Sequence, residues 1–232
     1  SKHDGLIPGI WAMRPNWRVV YTGLIDFAFM KKVFKSISVN HNYICKYNIG
    51  SFASNLKYAE DARDLQDNWM SLFDVNLVSI NEQFNPLISM DMVWANNLTP
   101  HWDINRRRDV SLSLVNAQLS ETSGNEIVLG LGYRFGNLPI FLNKQLNNDI
   151  NVQFDFSIRK NNTIIRRITE NVDQLTAGEK VMSIKVSADY TFNNRLNLRL
   201  FYDRKVDTPY LSLSYPTTNT NFGLSIRYTL MQ

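Results

Sequence analysis

From Asn219 to Met231 the chain alternates strictly. Phe222, Leu224, Ile226, Tyr228 and Leu230 are apolar, while Asn221, Gly223, Ser225, Arg227 and Thr229 are small or polar. A period of two sends the two sets to opposite sides of an extended backbone, so this segment predicts a strand with one apolar and one polar face. The pattern recurs in Ile150, Val152, Phe154, Phe156 and Ile158, set against Asp149, Asn151, Gln153, Asp155, Ser157 and Arg159. Met182, Ile184, Val186, Ala188, Tyr190 and Phe192 repeat it against Ser183, Lys185, Ser187, Asp189 and Thr191. Leu196, Leu198, Leu200 and Tyr202 form a fourth stripe, and Ile127, Leu129, Leu131, Tyr133 and Phe135 a fifth, opposite Gly130, Gly132 and Arg134. Less regular stretches at 17–28, 33–47, 69–81, 86–95 and 109–119 also read as strands, best ordered at Ile88, Met90, Met92 and Trp94. The total is about eleven strands. No long segment has a helical period, and 59–67 predicts at most one short helical turn in a loop.

Composition agrees with an all-β chain. Asn occurs 27 times and aromatic residues make up 12%, while Ala is scarce. Asn is poor in helices and suits turns and polar strand faces. A hydrophobic content of 44% excludes a disordered chain. The single cysteine, Cys45, excludes a disulfide framework. A net charge of +4, scattered along the chain, gives no footprint for nucleic acid. Ser1-Lys2-His3-Asp4 carries neither an initiator Met nor a signal peptide, which reads as a mature protein or a piece of a longer one.

No apolar run approaches the roughly 18 residues that a spanning helix needs, so any membrane crossing would be by strands. Strands of about 9–13 residues exceed the usual length and match a tilted bilayer span. The expected connections alternate in length. The short ones are Met30–Lys32, Glu82–Asn85, Ser120–Asn125, Lys160–Asn162 and Asn193-Asn194. The long ones are Asn48–Asn68, Asn96–Arg108, Gly136–Asn147, Asp173–Glu179 and Lys205–Thr218. Sorting of short turns to one end and long loops to the other is the habit of outer-membrane barrels. The expected fold is therefore an antiparallel transmembrane β-barrel, with residues 1–16 as an extended entry segment and 17–232 as barrel. Lipid would face Ile150, Val152, Phe154, Phe156, Ile158, Leu224, Ile226 and Tyr228. A wet lumen would face Asp149, Asn151, Gln153, Asp155, Ser157, Arg159, Lys185, Asp189 and Arg227. Two rivals share the pattern: a self-contained small porin-like barrel, and a soluble antiparallel barrel that binds an apolar ligand with Phe154, Phe156 and Leu200 inside. At the chain end, Asn221, Gly223, Ile226 and Tyr228 look like the terminal signal read by outer-membrane assembly machinery.

Catalytic chemistry finds no support. His3, His41 and His101 are not at metal-ligand spacing, and His41 shares a strand face with Val39, Tyr43 and Cys45. Gly130-Leu131-Gly132-Tyr133-Arg134-Phe135-Gly136 has the wrong spacing for a dinucleotide loop and no helix after it. Asp149 and Asp155 share a face but lie about 20 Å apart along a strand, too far for paired carboxylate catalysis. Arg106-Arg107-Arg108 suits a solvated or headgroup-facing strand entrance. Asn97-Leu98-Thr99 fits a glycosylation sequon. Trp11, Trp17, Trp69, Trp94 and Trp102 fall near expected strand ends, as in an interfacial aromatic belt. No enzyme activity, metal or cofactor is expected.

Several stretches carry a family likeness. They are Arg14-Pro15-Asn16-Trp17-Arg18 with Tyr21-Thr22-Gly23-Leu24, Phe84-Asn85-Pro86-Leu87-Ile88, Glu126-Ile127-Val128-Leu129-Gly130-Leu131-Gly132-Tyr133, and Asn148-Asp149. The tail adds Phe201-Tyr202-Asp203-Arg204, Thr208-Pro209-Tyr210, Tyr215-Pro216-Thr217-Thr218-Asn219 and Gly223. Together they resemble the C-terminal portion of the SprA/Sov family, the outer-membrane translocon of the type 9 secretion system in Bacteroidota, a system also tied to gliding motility. The resemblance implies one arc of a much larger, multi-pass barrel through which folded cargo proteins leave the cell. It also implies outer-membrane lipid, a PorV-type barrel partner and a periplasmic plug protein as neighbours. An antibody against Asn219–Gln232 should accordingly detect a band many times larger than 26.9 kDa on denaturing gels of outer membranes. A band near that mass would favour the small-barrel rival.

Overall fold

The structure, a computed structural model, describes residues 14–56, 58, 63, 66–136, 149–193, 196–211 and 214–229. Nine antiparallel strands form one sheet in strictly sequential order. They are β1 (Trp17–Tyr21), β2 (Phe34–Ser54), β3 (Phe73–Trp94), β4 (Leu98–Ser113), β5 (Gln118–Phe135), β6 (Ile150–Arg167), β7 (Val172–Asn193), β8 (Leu196–Pro209) and β9 (Thr217–Tyr228). A 3₁₀ turn at Gly23–Asp26 and the short helix α1 (Ala28–Val33) bridge β1 and β2. Every neighbouring pair in chain order is a hydrogen-bonded pair in space. β1 and β9 stand at the two edges and do not pair with each other, so the described sheet is open.

The all-β expectation stands, but the strands are fewer and longer than the expected eleven or so. The segments 69–81 and 86–95 are one strand, β3, which runs without a break through Glu82–Asn85 and the cis Asn85-Pro86 bond. Most of Asn96–Arg108 is the strand β4, so Arg106-Arg107-Arg108 lies within a strand and not at its entrance. Ser120–Asn125, Lys160–Asn162 and Asp173–Glu179 lie inside β5, β6 and β7, and Lys205–Pro209 inside β8. Conversely, 109–119 contains the β4–β5 turn, where Ala117 takes a positive φ. The stretch 17–28 stops being a strand at Tyr21. Asn194 and most of 59–67 lie outside the described residues, as do 1–13, with His3 and Trp11, and Leu230 and Met231.

The expected sorting of connections fails. The end of the sheet that carries the long segments 22–33 and 136–149 also carries the short ones 95–97 and 194–195. The opposite end joins the long 55–72 to the short 114–117 and 168–171. Loop length is therefore no evidence for a barrel here.

The register gives each face one chemistry. On the first face, Ile104, Ile127, Ile158, Met182 and Val206 form one row across β4 to β8. Three rows further on, Leu98, Tyr133, Val152, Ala188, Leu200 and Leu224 form another. These rows belong to a continuous apolar band that crosses the whole sheet. Among the described residues no second layer packs on it over β4 to β9, and the buried hydrophobic residues are only Ile37, Tyr43 and Val181. Total accessible surface is 17249 Å², against about 10,800 Å² for a compact monomer of this mass. Among the described residues the sheet is a single layer without an apolar core.

The second face is polar and crowded. Along β5, Gly124 and Gly130 on this face are buried, while Ile127, Leu129 and Leu131 on the other are exposed. A Cβ added at Gly130 would overlap the His101 ring and sit 2.7 Å from Asp155 Oδ1. One added at Gly132 would overlap Thr99 Oγ1, and one at Gly223 would sit 2.7 Å from Phe201 Cζ. Two open hollows, of about 220 and 550 Å³, lie on this same face. Side chains that converge on one face and splay on the other mark a sheet curled toward its polar side. We expect Gly130→Val to cost about 1–3 kcal/mol of stability through this crowding. Gly136→Ala, whose new Cβ meets nothing closer than 3.6 Å, should be neutral. Urea unfolding of the two variants checks this.

Candidate functional site: the polar face and its apolar counterpart

All nine residues expected to face a lumen fall on the polar face. Gln153 pairs with Ser187, Asn151 with Asp189, Asp155 with Lys185, and Arg227 with Asn197. The eight residues expected to face lipid all lie on the opposite side, as in the rows Leu131–Phe154–Val186–Tyr202–Phe222 and Phe135–Ile150–Tyr190–Leu198–Ile226. The assembly-signal residues split between the faces, with Asn221 and Gly223 polar-side and Ile226 and Tyr228 apolar-side on β9.

The polar face carries charges of alternating sign. One row runs His101, Gly130, Asp155, Lys185, Asp203 and Asn221 across β4 to β9. His101 Nε2 lies 4.0 Å from Asp155 Oδ1. Arg199 Nε lies 3.6 Å from Asp189, and Arg134 Nε donates to Asp149 Oδ2 at 2.8 Å. Lys205 Nζ bonds Asp207 at 3.0 Å. Each pair stays partly exposed, so these groups are wetted and offset one another without a strong local field. Sequence reasoning did not name His101, Asp103, Arg134, Asp203 or Arg199 as part of this lining. The sequence stripes already set Arg134 opposite the apolar residues of β5, and Arg199 and Asp203 opposite those of β8, whereas the parity of His101 and Asp103 was visible only once β4 was a strand in a fixed register. Among the described residues, no three His, Cys, Asp or Glu side chains gather as a metal site.

The apolar face has structured margins. At the end that carries 95–97, aromatic rings cluster: Phe34 against Trp94, and Tyr133 against Phe135 with centroids 4.4 Å apart. At the other margin, Trp17, Tyr43 and Phe84 stack in one row, with centroids 4.3 and 4.7 Å apart. Trp69 sits apart from both, under Arg63 at 5.0 Å. Phe154 and Leu200, which the soluble-barrel rival places inside, lie on the exposed face.

Beyond the apolar band, β3 to β7 continue with charges on this same face. Glu121 Oε1 accepts from Arg108 Nε at 2.7 Å, and its Oε2 lies 3.1 Å from Arg166. Arg108 also reaches Glu82 at 3.8 Å, and Arg166 reaches Asp173 at 3.4 Å. The Arg108 hydrogen bond holds the Glu121 carboxyl below the usual range, against the opposing effect of burial and with help from the charges of Arg108 and Arg166.

No family model matches the chain, and no curated protein sequence matches it. The fold and faces define a class: a single-layer antiparallel meander with one uncovered apolar face and one wetted, charged face.

A lowered folded pKa means that the unfolded chain binds more protons near pH 4. The stabilisation by Glu121 is then present above the ordinary Glu value of about 4.3 and is lost as pH falls through the folded value. Glu121→Gln should therefore weaken the protein at neutral pH, and the two denaturation midpoints should converge below that range. Parallel curves down to pH 3 would remove Glu121 from the account.

Proposed function

We propose that this chain is part of the wall of a transmembrane β-barrel in the outer membrane, with its apolar face against lipid and its polar face lining an aqueous passage. The observation that carries the reading is the slant of the apolar band. On β4 the band runs from Ile104 to Leu98, and on β9 from Phe222 to Tyr228. The paired row of Ile104 reaches β9 at Thr218, four residues short of Phe222. The row of Leu98 reaches β9 at Leu224, and the apolar stripe of β9 runs on past it through Ile226 and Tyr228. The Ile104 margin thus shifts by four residues over the five steps from β4 to β9, and the far side of the band extends in the same direction. With about 3.3 Å per residue and about 4.8 Å between strands, the band is inclined by roughly 30° to the hydrogen-bond rows. A flat membrane slab cutting tilted strands produces this offset, and barrel strands tilt by about 35–45°. On β6 the band from Ile150 to Ile158 is about 26 Å long along the strand, or about 23 Å in height at that incline, near the roughly 25 Å apolar belt of such barrels.

Within that class, the tail and strand motifs favour the C-terminal arc of the type 9 secretion translocon. The work of this arc is passive: it holds a wide, wetted wall along which folded cargo passes, and performs no chemistry. Charges of mixed sign, paired across strands, suit a surface that releases many different proteins. The open edges fit an arc better than a complete small porin, because an unpaired strand edge in hydrocarbon is costly and an arc has further strands beside it. A PorV-type partner and a periplasmic plug belong to the same reading.

The test is a pair of substitutions on adjacent residues of β6. Phe154→Arg on the lipid side should cost about 2–4 kcal/mol and impair assembly, as a cation does at mid-bilayer, whereas Gln153→Arg should be tolerated. Assembly is read as protein retained in membranes after a carbonate wash. Equal effects would overturn the facing, and release of the wild-type protein by the wash would overturn the membrane reading.

A further inference from the structure

We propose that the margin of the apolar face away from the 95–97 turn is a binding site for the phosphate headgroups of anionic lipids. The inference rests on the membrane reading above and adds a ligand to it. The last position before the band on successive strands is Arg106 on β4, Asn125 on β5, Lys160 on β6 and Lys180 on β7. On β8 the apolar stripe is interrupted between Val206 and Tyr202 by Arg204, which pairs with Ile184, and Thr220 holds the matching place on β9. Four of these six positions are cations, and none is a carboxylate.

The four differ from the cations around them. Arg108 and Arg166, two residues or more further out on the same face, are held by Glu82, Glu121 and Asp173. Arg106, Lys160, Lys180 and Arg204 are exposed and have no ion-pair or hydrogen-bond partner among the described residues. Lys160 and Lys180 face each other directly across the β6–β7 ladder. Like charges in that position repel and destabilise a sheet in water. An anion between them reverses the sign, and no protein carboxylate supplies one at this level.

A hollow of about 440 Å³ extends the site toward β1. Arg14, Trp17, Tyr43, Glu82, Phe84 and Arg106 line it. Glu82 is neutralised by Arg14, Arg108 and the Tyr43 hydroxyl, which leaves Arg106 and Arg107 as further cations on its wall. The rings of Trp17, Tyr43 and Phe84 continue the row of Arg106, Lys160 and Lys180 toward β1, so aromatics and cations share one level beside the band, the place where amphipathic aromatics lie at a headgroup boundary. Acyl chains against the band, glycerol or sugar against the rings and phosphate on the cations give one ligand three matching surfaces. The ligand is a lipid, since a free phosphate would use the cations but neither the band nor the rings.

The experiment uses the native protein, purified in detergent from its own membrane. Brominated phosphatidylglycerol and brominated phosphatidylcholine are titrated in, and quenching of the tryptophans on the apolar face, Trp17 at this margin and Trp94 and Trp102 along the band, reports binding. The expected result is a preference of about tenfold or more for phosphatidylglycerol that weakens with salt. The combined substitution Arg106→Gln, Lys160→Gln, Lys180→Gln and Arg204→Gln should abolish the preference. Arg167→Gln, which removes a cation from the other face beyond the band, should leave it intact. A preference unchanged in the fourfold variant overturns the site, and so does displacement of the lipid by inorganic phosphate alone. If the fourfold variant assembles poorly, the pair Lys160→Gln and Lys180→Gln alone should reduce the preference severalfold, and no reduction there is equally fatal. Carbonate extraction of the same preparations separates failure of this site from failure of the membrane reading.

Discussion

The antiparallel backbone ladder is the constraint on which everything else in this molecule depends. Each strand pairs with its neighbour in sequence, and the side-chain period of two then fixes which residues share a face. Among the described residues there is no second layer, and the ladder supplies the long-range order. A slip of one residue at any pair would send Phe154 or Leu129 to the charged side and Asp155 or Arg134 to the apolar one. Such a slip is prevented because the whole band, from β2 to β9, is apolar at the same parity.

The absence of a core inverts the usual logic of a soluble sheet, where one face is buried against another layer. Here the crowded, concave side is the polar one, and the glycines Gly130 and Gly132 make room on it for His101 and Thr99. The splayed side is the apolar one. A surface arranged in this way is satisfied by a solvent that is itself apolar outside and aqueous inside, which is the situation of a barrel wall in a bilayer. The two margins differ: both carry aromatic rings, and the one away from the 95–97 turn also carries exposed cations, an asymmetry that on the membrane reading proposed above would give the wall a direction.

Sequence and structure agree best where the two faces differ most. Along β6 and β9 the strict contrast of Phe, Ile and Leu with Asn, Gln and Asp made the strands and their facing legible from the residues alone. The agreement failed where both faces are polar. Ser120–Asn125, Lys160–Asn162 and Asp173–Glu179 have no apolar stripe because the strands there have left the apolar band, and they read as loops. The same failure hid most of β4, whose arginines Arg106, Arg107 and Arg108 alternate between faces without changing character. It also produced the false sorting of connections by length.

The residues by themselves determined the class of the fold and the chemistry of each face, because alternation is a local property that any extended strand converts into two surfaces. They also determined the lining candidates from Asp149 to Arg227. Only the tertiary structure decided how the strands line up. Register is a pairwise property with no trace in a single strand, and the slant of the band, the free cations at its margin and the curl toward the polar face all follow from it.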